Sequence, residues 1–393
     1  MSEHQDRRSW LIIIGLSLGP LVSVGFARFA YGLILPAMQQ ELDWSFTAAG
    51  WLNTANAIGY LVGAMLALKY IPRLGAGWMF SVGMVITSVA VLCSGLTSDL
   101  WLLTVYRIIA GVAGAPVFIA GGVLASGLFV NNSSRNALGI AVYFGGVGIG
   151  MLLTGLSIPL VLEHYGSSAW PQTWLLLGVA SAFALPASLW AVRSAQAAPK
   201  PAAWVDLNDG PATVRALPAL LAYFMFGVGY FVYMTFLVAW MRAQGESVNL
   251  VIATWSAISV MVILSPFIWR KVLAASAGGG AMALAMVTIG AGTLLPLLVT
   301  DATGLLLSAM MFGVAFAMIP TAITSFIKKN YPQAHWGAAM SLFTIFFAVG
   351  QIIGPIAAGL VADQTHSLAP GMTAAGGVLL AGAVMAVLQK PLK

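Results

Sequence analysis

Residues 10–36 read WLIIIGLSLGPLVSVGFARFAYGLILP, an unbroken apolar run in which Arg28 is the one charged side chain. A bilayer-spanning helix needs about 20 such residues, so the run is long enough to cross. It is also longer than the apolar core of a secretory signal, about 7 to 15 residues, and a first span retained after Arg7 and Arg8 is expected. Polar and apolar positions do not alternate, which argues against a barrel strand. Runs of this kind fill the chain: of 393 residues 60% are apolar and 7% charged. Soluble domains carry about 45–50% apolar and about 25% charged residues, so a soluble enzyme is excluded. Disorder needs low hydrophobicity, and the 43 glycines follow no three-residue period, which excludes collagen. An all-α membrane protein is the remaining class.

Breaks at charges, Pro and Gly predict twelve transmembrane helices, at about 10–36, 45–68, 75–94, 100–125, 135–160, 173–193, 213–241, 249–268, 273–299, 303–325, 337–361 and 369–389. The Pro- and Ala-rich stretch 196–212, with Lys200, Asp206 and Asp209, reads as a linker. It divides the chain into an N-terminal six-helix bundle, 1–195, and a C-terminal one, 213–393. With the N-terminus inside, fourteen of the seventeen Lys and Arg fall on inner segments and Arg242 alone on an outer loop. Cytoplasmic loops retain positive charge, so both termini are expected to be cytoplasmic, in an inner membrane. Arg28 and Arg107 fall inside spans. Every Asp and Glu falls in a loop, a terminus or a span mouth. The net charge of +6 is scattered, which gives no footprint for nucleic acid. Cys93 is the single cysteine, and a small core residue is its expected role.

At a fixed offset of 202 residues the halves match: Gly25, Phe29 and Tyr31 meet Gly227, Phe231 and Tyr233; Lys69 meets Lys271; Asp99 meets Asp301; Gly111-Val112-Ala113 meets Gly313-Val314-Ala315; Gly148 meets Gly350; His164 meets His366. This points to duplication. Six spans per half is an even number, which gives both halves one orientation, related by a pseudo-two-fold along the membrane normal.

Arg107-Ile-Ile-Ala-Gly111 in the fourth span resembles the Arg-x-x-x-Gly motif of major facilitator transporters. Gly350-Gln-Ile-Ile-Gly354-Pro355 in the eleventh is similar to their antiporter-type Gly-x-x-x-Gly-Pro motif. The fifth span, where that motif is normally found, has Gly145-Gly-Val-Gly148-Ile-Gly150 and no Pro. Gly25-Phe-Ala-Arg28-Phe29-Ala-Tyr31 through Pro36 resembles the opening signature of the YbfB/YjiJ-type branch. The resemblance covers essentially the whole chain and implies the major facilitator fold. One departure stands out: Leu68-Lys-Tyr-Ile-Pro-Arg73-Leu-Gly75 lacks the acidic member of the superfamily's Gly-x-x-x-Asp-Arg motif.

An ionised side chain at the bilayer centre costs about 2.5 to 3.5 kcal/mol on insertion scales, so an intramembrane Arg is a functional candidate. Arg28 and Arg107 each lie about five residues outward of their span centres, hence about 7 Å from the midplane on the outer side. With no acid in any span, their counter-charges are carbonyls, ring faces, water or an anion from solution. A guanidinium fork fits carboxylate, sulfonate or phosphate oxygens. At the repeat-related positions stand Tyr230 and Ala309, so charge is confined to the N-terminal half. Tyr230 and Tyr233 in the seventh span, and Asn53 and Asn56 in the second, complete the candidate substrate-binding set. Packing and interhelical hydrogen bonding are the alternative roles of these four.

Gly15-Leu-Ser17-Leu-Gly19 matches a hydrolase elbow, but it lies inside a span, and His4, His164, His335 and His366 fall in loops. No Cys or His cluster predicts a metal, and neither cofactor nor enzymatic activity is expected. The sequence predicts a monomeric secondary transporter moving a small carboxylate-like organic anion by alternating access. Inward movement of an anion against an inside-negative potential costs about 2.3 kcal/mol per 100 mV. Lacking a proton carrier in any span, the chain is expected to use substrate-borne protons or anion exchange. The alternative is a proton-coupled drug or metabolite efflux antiporter, for which Asp43 and Asp99 are the available acids.

Overall fold

The computed structural model describes residues 3–129, 132–195, 214–332 and 335–392, and each regular element among them is helical. Among the described residues, twelve helices are long and apolar enough to cross a membrane: α1 Arg7–Glu41, α2 Phe46–Leu74, α3 Ala76–Cys93, α4 Leu100–Ser126, α5 Ser134–Tyr165, α6 Ser167–Ser194, α7 Leu217–Ala243, α8 Val248–Ala275, α9 Gly280–Leu298, α10 Ala302–Asn330, α11 Trp336–Thr365 and α12 Ala369–Leu388. The expected linker 196–212, with Lys200, Asp206 and Asp209, lies outside the described residues. Phe183 and Leu298, 80% and 79% exposed, belong to a wide set of outward apolar side chains that only lipid would cover without cost.

Helix starts follow from short polar caps. Asp99 Oδ1 accepts from the Leu102 amide at 2.7 Å, and Asp301 Oδ1 from the Gly304 amide at 2.9 Å. Each satisfies a first-turn N–H that has no partner within its own helix. The repeat pair Asp99 and Asp301 is thus a pair of caps. Helix ends overrun the charges expected to stop them: α2 continues through Lys69 and Arg73 to Leu74, and α8 through Arg270 and Lys271 to Ala275. Lys and Arg are good helix formers whose long stems reach water from a helix end, so charge marks the edge of the apolar slab and not the end of the helix.

Besides α6, which opens with a 3-10 turn at Ser167–Ala169, two spans depart from regular α-geometry. Leu21–Phe29 of α1 is a π-helix, closed by a bond from the Ala30 amide to the Gly25 carbonyl five residues back. It begins directly after Pro20, which has no N–H to continue the α-ladder. In α10, Ala302–Phe316 and Met318–Asn330 are separate segments, because Pro320 cannot donate to the Phe316 carbonyl.

The chain forms two compact units. The first comprises Met1–Asp43 and Ala55–Pro201, the second Trp44–Thr54 and Ala202–Lys393. The sequence division assigned all of α2 to the N-terminal half; the structure groups the first part of α2 with the second unit. The reason is a set of polar contacts inside that unit. The Asp363 carboxylate accepts from the Phe46 amide at 2.7 Å and the Thr47 amide at 3.0 Å, Asn53 Nδ2 donates to Thr235 Oγ1 at 2.6 Å, and Thr54 Oγ1 donates to the Ile352 carbonyl at 3.1 Å.

Each unit repeats one packing plan. In the first, α1 packs on α5 and α6, and α3 on α4 and α6; in the second, α7 packs on α11 and α12, and α9 on α10 and α12. A Cβ on Gly111 would sit 2.6 Å from the Tyr60 amide nitrogen, against α2 at Asn56, and one on Gly313 would sit 2.5 Å from the Ile258 carbonyl of α8. Residues 56 and 258, like 111 and 313, are 202 apart, so the sequence repeat is a repeat of backbone contacts that only glycine permits.

Candidate functional site

In the first unit, Arg28 is 4% and Arg107 2% exposed. Arg28 lies in the last turn of the π-helical stretch of α1, and its guanidinium carbon lies 4.7 Å from the Tyr60 ring centroid. Arg107, on α4, lies 5.0 Å from the Tyr31 ring and 5.5 Å from the Trp174 ring. Its Nη1 donates to the Ala27 carbonyl, one residue before Arg28. The shared level expected from the sequence is therefore visible in a direct contact between the two helices. The two cations repel one another electrostatically. Ring faces attract a guanidinium, by about 2 kcal/mol or more where water is excluded, and neutralise no charge. Trp174 is buried, and its indole N–H makes no hydrogen bond.

The remaining candidates separate. Asn56 Nδ2 donates to the Arg107 carbonyl at 3.1 Å, which places it beside the arginines as a brace between α2 and α4. Asn53, three residues earlier, belongs to the second unit and donates to Thr235. Tyr233 is engaged with Ser308 Oγ at 2.7 Å, and that hydroxyl donates onward to the Gly292 carbonyl at 2.6 Å, so Tyr233 braces α7 against α10 and α9. Tyr230 instead accepts from Gln351 Nε2 of α11 and lies among Phe226, Phe316 and Phe347. Three residues apart on one helix, the two phenols are about 60° apart around its axis, enough to meet different neighbours.

Tyr31, Tyr60 and Trp174 were absent from the sequence-derived set. Tyr31, three residues after Arg28, carried a signal, since it recurs as Tyr233. Tyr60 and Trp174 carried none, because aromatic residues are common in the spans and only folding selects these two. No group of three or more His, Cys, Asp or Glu that could hold a metal occurs among the described residues.

A family model described as "Uncharacterised MFS-type transporter YbfB" matches residues 20–387. The chain is 24% identical over 234 residues to Bacillus subtilis YceJ, an MFS-type transporter, covering 59% of this chain and 58% of that one. It is 27% identical over 205 residues to the gallate transporter of Pseudomonas putida, covering 52% and 43%. The chain thus spans about half the length of the curated relatives it matches. A bacterial homolog of the human lysosomal transporter Spinster, inward-facing and occupied, superposes with a TM-score of 0.72 at 16% identity, covering 96% of both chains. The nucleoside transporter NupG superposes with a TM-score of 0.68 at 15% identity, covering 95% of this chain and 97% of that one. These likenesses show the fold.

Proposed function

The chain belongs to the YbfB-type family of major facilitator transporters, and from that premise we propose that it carries a small, carboxylate-like organic anion across the cytoplasmic membrane by alternating access. The observation that carries this reading is the burial of two like charges, Arg28 and Arg107, at one level of the first unit, while the acids among the described residues lie at helix ends, in a terminus or between helices. A pair of buried cations is costly. A planar anion relieves that cost and matches the guanidinium fork. The Trp174 N–H beside Arg107 offers a further donor. The gallate transporter among the relatives supports a carboxylate.

Coupling follows from the same composition. Uptake of a monoanion opposes an inside-negative potential by about 2.3 kcal/mol per 100 mV, and among the described residues no acid or His lies in mid-span to carry a proton. The substrate's own proton, or exchange against a second anion, balances the charge. A proton-coupled efflux antiporter would instead depend on a membrane acid.

The test is ligand-dependent thermal unfolding of the purified full chain with mono- and dicarboxylates, sulfonates, phosphates and neutral analogues, on wild type and Arg28→Ala. A ligand at 100 times its Kd stabilises by about 2.7 kcal/mol. Anions are expected to stabilise the wild type with increasing dose and Arg28→Ala much less. Equal stabilisation of both proteins, or stabilisation by neutral compounds alone, would overturn the reading.

A further inference from the structure

In the second unit α8 and α10 pack along one another, and four exposed cations stand where they end: Arg270 and Lys271 in the last two turns of α8, Lys328 and Lys329 in the last turn of α10. Lys329 joins the two ends. Its Nζ donates to the Leu273 carbonyl at 2.8 Å, the Ala274 carbonyl at 3.1 Å and the Ser276 carbonyl at 2.6 Å. An ammonium has three donors, and all three go to the end of α8, where carbonyls lack helical partners. Asn330 Nδ2 adds a bond to the Ala277 carbonyl at 2.8 Å.

This junction fixes the other three cations at one level. A Cβ on Gly313 would sit 2.5 Å from the Ile258 carbonyl, and Lys329 meets Ala274; both pairs are 55 residues apart. The two helices therefore run in the same direction and in register, which puts Lys271 within about 3 Å of the level of Lys328 along their axes. Like charges so close repel. The acids among the described residues of this unit, Glu246, Asp301 and Asp363, all lie at its opposite end. Lys328 stands 5.8 Å from the Trp336 ring, which attracts a cation and neutralises none of its charge.

An apolar stripe leads down to the cluster. Val260, Leu264, Phe267 and Ile268 of α8 are 40–54% exposed. At 3.6 residues per turn they share one face, and Lys271 continues that face by about one turn. Acyl chains against such a stripe bring a phosphate headgroup to its foot, and basic clusters between helix ends hold such headgroups. The repeat-related positions of the four cations are Leu68, Lys69, Ser126 and Gly127, so duplication does not account for the cluster.

We propose that the joined ends of α8 and α10 bind an anionic phospholipid, its phosphate held by Arg270, Lys271 and Lys328 and its chains lying along the α8 stripe. Lys329 is the positioning residue that keeps the two ends together. The site belongs to the second unit alone and does not depend on the identity of the transported substrate.

The test is native mass spectrometry and thermal unfolding of the purified full chain with phosphatidylglycerol, phosphatidylcholine of the same acyl chains, and glycerol phosphate. Wild type is expected to retain phosphatidylglycerol over phosphatidylcholine by about fivefold or more, the effect of at least one cation acting on an anionic headgroup, and to unfold at a higher temperature with it. Arg270→Gln combined with Lys271→Gln is expected to bring that ratio close to one. Lys69→Gln combined with Arg193→Gln removes the same charge from the first unit and is expected to leave the ratio unchanged. If the first pair fails to fold, Lys328→Gln carries the test, with the ratio reduced. Equal retention of the two lipids by wild type would overturn the inference. An equal fall in both double variants, as attraction by net charge alone produces, would overturn the assignment to this cluster. Stabilisation by glycerol phosphate as great as by phosphatidylglycerol would mark a soluble-phosphate site and overturn the lipid assignment.

Discussion

At the scale of single residues, Arg107 separates stability from transport. Its guanidinium donates to the Ala27 carbonyl and stands over two rings. Losing a hydrogen bond from a charged group costs about 1.5–3 kcal/mol, whereas removing a buried charge recovers several kcal/mol of desolvation. Arg107→Met is therefore expected to leave the unfolding temperature unchanged or raised while uptake falls at least tenfold; a drop of many degrees would instead mark Arg107 as a brace. Arg28→Lys keeps the charge and loses the planar fork, so it is expected to recover little of the activity lost in Arg28→Ala. Equal uptake by Arg28→Lys and wild type would reject bidentate recognition. The arginines were legible because charge is rare in an apolar run. Trp174 was not, since nothing local distinguishes it from the other twelve tryptophans.

At the scale of elements, the fifth-span glycines have opposite roles although they are adjacent. A Cβ on Gly145 would meet nothing within 4 Å, whereas one on Gly146 would strike the Ser17 carbonyl of α1 and lie 3.2 Å from Pro20. Gly145→Ala is expected to stabilise by up to about 1 kcal/mol through helix propensity. Gly146→Ala is expected to destabilise by about 1–3 kcal/mol through overpacking. Thermal unfolding of both in the same detergent checks the pair, and equal shifts would contradict this account of the α1–α5 seam. The caps obey the same logic: Asp99→Ala and Asp301→Ala should each cost about 1 kcal/mol. Span positions were legible from apolar length. The π-helical stretch at Leu21–Phe29 was not, because a local change of helix type leaves the hydrophobic pattern almost unaltered.

At the scale of the whole molecule, transport and topology can each be tested directly. If the substrate's proton or a second anion balances the charge, an imposed potassium diffusion potential is expected to change the uptake rate of a monocarboxylate into proteoliposomes by less than about twofold. A pH gradient or internal anion should then stimulate it severalfold, and strong acceleration by the potential alone would exclude both routes. A fluorescent protein fused after Lys393 is expected to be bright and a phosphatase fused there inactive, as a cytoplasmic C-terminus requires; the reverse pattern would invert the topology. The 202-residue offset predicts a division into two six-helix halves, and the grouping of Trp44–Thr54 with the second unit does not follow from it. That grouping depends on where Asp363 and Thr235 meet α2, which no local pattern encodes.

Composition alone determined the solvent, the helical class and the number of spans, because a bilayer imposes one length and one polarity on every crossing segment. The duplication was also readable in one dimension, since its glycines and caps recur where backbones touch. Only the tertiary structure decided which ring faces the guanidinium groups, which phenol braces the fold, and which lysine ties α8 to α10. Those outcomes depend on angles around helix axes and on contacts between spans far apart in the chain, and hydrophobic length carries no information about either.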